Sequence, residues 1–309
     1  MNTGAAAGSA RSWLFVPGDS ERKQARALES AADALILDLE DSVAPAKRQE
    51  ARERVAALLA ARRGKRGAQR LWVRTNAPSS GELLDDLIAM MPGAPDGIVL
   101  PKVSAADEII EAHHFLSALE RRESLRSGAT GVVVIATETP RAVLGIERFT
   151  ADTARLGAAG SRLAGLTWGA EDLGAALGAR GRLEADGSLA PVFDLARTLC
   201  LLAAAAAGVP AIDGVHADFR DRDGLARELA RARRDGFSGK LAIHPDQVEP
   251  INAAFTPSES EIAHARRVVA AFAAAPDVGV TSLDGRMIDR PHLKQAERLL
   301  AAAERLGRR

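Results

Sequence analysis

The run Gly131-Val-Val-Val-Ile-Ala-Thr-Glu-Thr-Pro140 carries a lone acid, Glu138, just before its closing proline. Its apolar, β-branched residues between Gly131 and Pro140 predict a buried strand, which puts Glu138 at the strand's end. A carboxylate in that position needs water, a cation or a metal as partner. A second strand-like run, Leu163 to Trp168, leads into Gly169-Ala-Glu-Asp-Leu173 and places Asp172 just past the next strand. Two acids at the ends of adjacent parallel strands can converge on one divalent cation. Oxygen-only ligation, completed by water, suits Mg²⁺.

Other polar residues sit at the ends of strand-like runs. They are Asp38, Glu40 and Asp41, then Arg74 and Asn76, then Lys102, then Asp213 and His216, then His244. Such a set suits metal-assisted chemistry on an anionic, oxygen-rich substrate. It holds no Ser–His pair and no zinc-type His cluster. Competing roles are plain for several members. Glu138 or Asp172 could cap the next helix. Arg74 could pair with Asp38 or Glu40. Lys102, in Leu-Pro-Lys, could form a Schiff base, or an ion pair behind the site. His244 in Ile-His-Pro reads as a structural hydrogen-bonding residue.

Those positions require a scaffold of alternating strands and helices. Strands are expected at Trp13–Val16, Ala34–Leu39, Leu71–Thr75, Gly97–Leu100, Val132–Thr137, Leu163–Trp168, Ala211–Val215 and Leu241–Ile243, each followed by a helical segment. Eight such units argue for an α/β fold, a (β/α)₈ TIM barrel over residues 11–250. An open doubly wound sheet is the alternative, but no Gly-x-Gly-x-x-Gly follows any strand. Residues 251–309 form a C-terminal helical extension, with helices at Ser258–Ala274 and Pro291–Arg305 and a connecting stretch over residues 281–289. Residues 1–10 read as a disordered tail without a signal-peptide pattern.

Composition excludes several classes. Forty-one Lys plus Arg balance 41 Asp plus Glu in 309 residues, so no net charge draws the chain to nucleic acid or membrane. The single cysteine, Cys200, cannot form an intrachain disulfide and fits a reducing, cytoplasmic setting. The longest apolar stretch, Leu199–Val209, is too short to span a bilayer and reads as a buried Ala-rich helix.

Seven segments, in order, resemble one family: Arg11–Gly18, Asp38-Leu-Glu-Asp-Ser-Val43, Val73-Arg-Thr-Asn76, Glu138-Thr-Pro140, Gly169–Leu173, Ile243-His-Pro245 and Gly285-Arg-Met-Ile-Asp289. They look like the CoA-ester lyases of the HpcH/HpaI aldolase superfamily, a group with the citrate lyase β subunit, malyl-CoA lyase and citramalyl-CoA lyase. The resemblance implies a TIM barrel, Mg²⁺ and a homotrimer or hexamer. It implies that Glu138 and Asp172 hold the metal and that Arg74 touches the oxygens of the oxo acid or acyl group. It puts Phe15, Arg22, Arg26 and Lys47 on the CoA side. Some relatives carry Tyr where Phe15 stands, and this chain has no Tyr. Asp38, Glu40, Asp41 and Lys102 fall behind the site. Asp289 resembles an acid that enters a neighbouring subunit's site, though it could also cap the helix after it.

The implied reaction is reversible C–C cleavage of a 3-hydroxyacyl-CoA to a 2-oxo acid and an acyl-CoA. Alternatives are a malyl- or citramalyl-CoA thioesterase, the β subunit of a carrier-dependent citrate lyase complex, and a class I aldolase working through Lys102.

Overall fold

The computed structural model describes residues 10–65, 67–149, 162–275 and 278–307. The expected N-terminal tail lies outside them except for Ala10, which departs from that expectation. Ala10 is buried in the core, and its carbonyl accepts a hydrogen bond from Trp13 Nε1 at 3.2 Å. The chain divides into two compact units, Met1–Asn252 and Ala253–Arg309.

In the first unit eight parallel strands close on themselves. They are β1 (Ser12–Pro17), β2 (Ala34–Asp38), β3 (Arg70–Arg74), β4 (Gly97–Leu100), β5 (Gly131–Ile135), β6 (Leu163–Thr167), β7 (Ala211–Asp213) and β8 (Gly239–Ala242). β1 pairs with both β2 and β8, which closes the barrel. Helices follow the strands: α1 (Glu21–Leu28), α2 (Arg48–Arg62), α3 (Leu83–Met90), α4 (Ala106–Arg122), α5 (Pro140–Leu144), α6 (Glu171–Leu177), α7 (Pro191–Ala207), α8 (Arg222–Asp235) and α9 (Val248–Phe255). The expected (β/α)₈ barrel is the observed fold.

β2, β5 and β6 are buried at every residue, as strands covered on both faces must be. Trp13, Ile36, Trp72, Val133 and Leu241 fill the interior. The two indoles lie 5.1 Å apart. Trp72 fits because its neighbours lack side chains. A Cβ on Gly97 would come within 2.1 Å of its ring, and one on Gly131 within 3.0 Å. Large and small residues thus alternate across the barrel to fill it.

α7 contradicts the expectation of a fully buried Ala-rich helix. Phe193, Ala196, Cys200 and Ala203 face inward, but Leu195 and Leu202 are more than half exposed. An outer helix covers the barrel with one face only, and the 3.6-residue period turns the other outward.

The second unit holds α10 (Glu259–Ala273), β9 (Val280–Leu283), β10 (Arg286–Asp289) and α11 (Arg290–Arg305) around Ala265, Val268, Phe272, Ile288 and Ala296. Ser258 and Glu261 form a capping box that starts α10. The stretch read as a connection is an antiparallel hairpin. Asp284 (φ 53°) and Gly285 (φ 75°) are both left-handed, as a two-residue type I′ turn requires. Among the described residues no helix is long and apolar enough to cross a membrane.

Candidate active site

A cavity of about 300 Å³ lies at the C-terminal ends of the strands. Glu138, Asp172 and Arg74 line it together with the apolar Phe15, Trp168 and Val215. Glu138 follows β5, and Asp172 stands in the first turn of α6. The loop after β6 passes close over Glu138. A Cβ on Gly169 would lie 2.6 Å from Glu138 Cγ, so any side chain there would displace the acid. Glu138 itself is 4% exposed.

Burial pushes the Glu138 carboxyl up to about 8. The Lys102 backbone N–H, 2.5 Å from Oε2, opposes this, while the like charges of Asp172 and Glu40 add to it. Glu40 is raised too, chiefly by burial, and its Oε2 is buried without a hydrogen bond. The site therefore gathers more negative charge than its own cations satisfy. Among the described residues no three His, Cys, Asp or Glu side chains form a ready-made metal cage. That pattern fits Mg²⁺, which binds through one or two carboxylates and keeps places for water and substrate oxygens. Glu138 and Asp172 are the residues that would hold it.

Arg74 ends β3 beside these acids. Its Nε and Nη2 donate to Asp38 Oδ1 and Oδ2, both at 2.7 Å. Nη1 lies 3.1 Å from Glu40 Oε2. The guanidinium also sits over the Phe15 ring, 4.8 Å from its centroid. Burial alone would raise the Asp38 carboxyl, but Arg74 and the N–H groups of Glu40 and Ser42 hold it below the usual range. Asp38 thus stays charged and fixes the arginine in one orientation. Arg74's side-chain pairing and its place on the cavity wall coexist.

Lys102 ties the acids together. Its Nζ is 2.7 Å from Glu40, 2.8 Å from Asp41 and 3.4 Å from Asp172. Its backbone is left-handed, φ 52°, a conformation that costs a residue with a side chain. Burial would lower the Lys102 ammonium, but hydrogen bonds to Asp41 and Glu40 outweigh it and raise its pKa. A protonated, triply paired amine is a poor Schiff-base nucleophile, so the geometry favours the ion-pair role.

A second cavity, about 340 Å³, adjoins the first through Phe15, Pro17 and Ile243. Arg22, Lys23 and Arg26 of α1 form its basic side. Lys47 is not part of that lining and stands 3.8 Å from Asp19. Lys23 escaped the sequence reading. His244 lines the same cavity, stacks on Phe219 at 4.5 Å and accepts the Asp246 N–H at 3.2 Å. That is a structural role, as expected.

Asp213 does not face the acids. It is buried and accepts from Trp168 Nε1 at 2.8 Å, Arg197 Nε at 3.0 Å and Lys240 Nζ at 3.0 Å. Lys240 also reaches Glu228 at 2.9 Å, and His216 Nδ1 lies 3.0 Å from the same carboxylate. Sequence reasoning missed Trp168, Arg197 and Lys240, because none is a polar residue at a strand's end.

Asp289 closes β10 in the second unit. It occupies the N-cap position of α11 without a side-chain bond to the helix amides, and pairs with His292 Nδ1 at 2.5 Å. That hydrogen bond lowers its carboxyl pKa.

The family model for HpcH/HpaI aldolase/citrate lyase matches residues 11–245. Citrate lyase subunit beta of Escherichia coli K12 is 36% identical over 299 residues, covering 96% of this chain and 94% of that protein. A (3S)-malyl-CoA thioesterase of Cereibacter sphaeroides KD131 is 35% identical over 299 residues, 96% of this chain and 95% of its own. Protein CitE of Mycobacterium tuberculosis, crystallised with magnesium, acetoacetate and coenzyme A, superposes with a TM-score of 0.74 at 33% identity, covering 96% of this chain and 99% of that one. With its closed barrel and this similarity along nearly its whole length, the chain belongs to the HpcH/HpaI aldolase/citrate lyase family.

Proposed function

We propose that this chain is an Mg²⁺-dependent CoA-ester lyase that reversibly cleaves a 3-hydroxyacyl-CoA to a 2-oxo acid and an acyl-CoA. One observation carries the reading. Glu138, Asp172 and Arg74 share a cavity that adjoins a second, basic one lined by Arg22 and Arg26. An oxygen-rich acid and a polyanionic thioester carrier fit side by side. A Mg²⁺ held there supplies Lewis acidity to the acid's carboxylate and hydroxyl or keto oxygens.

The chain's own groups then have separate tasks. Arg74, locked by Asp38, keeps a positive charge where the oxyanion develops. Phe15 carries the guanidinium on its ring face. Arg22 and Arg26 lie one helical turn apart and engage phosphates, and Lys47, outside that cavity's lining, is a further basic group offered to the CoA. Glu40, Asp41 and Lys102 hold the charge balance behind Glu138 and Asp172. Bond cleavage turns the 3-hydroxyl into the oxo acid's carbonyl, its proton passing to water, and leaves the electron pair on the acyl-CoA as an enolate, whose carbon is protonated by Asp289 of a neighbouring subunit in its acid form. The working form is a homotrimer or hexamer in the cytoplasm, with residues 251–309 serving the neighbour's site.

Purified protein with Mg²⁺ and malyl- or citramalyl-CoA is expected to yield an acyl-CoA and a 2-oxo acid, read by mass. Excess chelator is expected to abolish the reaction. Free CoA with the intact hydroxy acid would instead establish a thioesterase, a reading favoured by the similarity to the Cereibacter protein. Full activity in chelator would defeat the metal role.

The shared site has its own test. Asp289→Ala and Glu138→Ala are each expected to be inactive. Mixed and allowed to exchange subunits, they should recover part of the activity, because some sites then combine both acids. No recovery after verified exchange would return Asp289 to its own chain or to a helix cap.

A further inference from the structure

Trp168 follows β6 and stands between two chambers. Its side chain lines the cavity that holds Glu138 and Asp172. It also lines another cavity, of about 240 Å³, and Val215 lines both. This other chamber is walled by Leu189, by Arg197 of α7 and by Arg227 and Arg231 of α8.

The indole is fixed on two sides. Asp213, itself 2% exposed, accepts its Nε1–H at 2.8 Å. Gly214 approaches its ring closely, so that a Cβ there would lie 3.0 Å from Cε2 and force the ring to move. The polar wall behind it is not fully used. Arg197 Nη2 is buried without a hydrogen bond. Arg227 is exposed and makes no ion pair among the described residues.

We infer that Trp168 is a specificity partition, closing the substrate cavity against this chamber and restricting the enzyme to short 2-oxo acids. The inference rests on the lyase reading. Trp168 lines the same cavity as Glu138 and Asp172, so an acid held there has the indole as part of its wall. A chamber of about 240 Å³ has room for several heavy atoms. Arg227 and the one free nitrogen of Arg197, Nη2, can take a carboxylate tip beside the chamber's own acids Asp186, Asp213 and Glu228. With the ring removed, a longer dicarboxylic 2-oxo acid would extend into it.

The test is the condensation reaction with acetyl-CoA and Mg²⁺, following the CoA product by mass. Wild type, Trp168→Phe and Trp168→Ala are each given glyoxylate, pyruvate, oxaloacetate and 2-oxoglutarate. Trp168→Ala is expected to raise the ratio of kcat/KM for 2-oxoglutarate over the best short acid about tenfold, the scale on which a pocket distinguishes one methylene. Trp168→Phe, which keeps a ring, is expected to stay near the wild-type ratio. If Trp168→Ala does not fold, Val215→Ala opens the same wall and is expected to shift the ratio in the same direction. An equal fall for all acids would reduce Trp168 to a core filler and overturn the inference, as would wild type using 2-oxoglutarate as readily as the short acids. Wild type that condenses none of the four would overturn the lyase reading itself, and the partition with it.

Discussion

Metal-free protein carrying Glu138→Gln is expected to melt several degrees above wild type at pH 8 and to have lost Mg²⁺ binding and turnover. Glu138 is ionised in the unfolded chain above about 4.5, but burial, with the charges of Asp172 and Glu40, raises it to about 8 in the fold. A group raised in the folded state contributes its stability in full below the unfolded value and loses it as pH climbs through the folded one. Each unit of separation is worth about 1.4 kcal/mol. From about pH 4.5 to 8 the metal-free wild type therefore weakens progressively. Glutamine is neutral at both ends of that window and still offers an oxygen to the Lys102 N–H. Thermal melts in chelator at pH 5 and pH 8 check this. The variant's advantage should be large at pH 8 and small at pH 5. Adding Mg²⁺ should then raise the wild-type melting temperature and leave the variant's unchanged. A variant that melts below wild type at pH 8 would show that Glu138 is not the strained acid of this site.

The second large effect is expected at the buried charge cluster behind Trp168. Asp213→Ala removes the acceptor shared by Trp168, Arg197 and Lys240. Lys240 is 1% exposed and Arg197 3%. Each keeps one other acid, Glu228 and Asp235, at 2.9 and 2.7 Å. Breaking one side of a buried charge network costs about 3–5 kcal/mol. For a chain of this size that is a fall on the order of 10 °C in Tm. By contrast, Arg54→Ala removes an exposed pair with Glu50 and should leave the melt nearly unchanged. Similar melts for the two variants would mean that the Asp213 cluster is hydrated and structurally idle.

Much of the barrel was legible because parallel strands buried on both faces read as short β-branched runs. Glu138, Asp172, Arg74 and Lys102 were legible because strand ends are where such a barrel gathers polar groups. The interior cluster was not. Lys240 lies within β8, a position that reads as a solvated face, and its partners sit 27 residues earlier at Asp213 and 12 earlier at Glu228. The parallel pairing of β7 with β8, which sets Asp213 opposite Lys240, brings them together. The hairpin at Asp284–Gly285 had a local signal, an Asp-Gly pair between short alternating segments. That signal is weak because the flanking strands are four residues each and largely exposed. Lys47 is grouped with Arg22 and Arg26 by the family resemblance, while the fold sets it 3.8 Å from Asp19 and outside the lining of the basic cavity.

The left-handed backbone at Lys102 has a practical consequence for anyone improving this scaffold. Replacing it with glycine would relieve a conformation that costs roughly 1–2 kcal/mol, and a screen for heat resistance could reward the change. It would also delete the ammonium that spans Glu40, Asp41 and Asp172. Glu138 poses the same trap for a different reason. Selection for robustness alone would steer this enzyme toward a sturdier barrel with no chemistry left in it, so the two positions belong among those held constant in any stabilisation campaign.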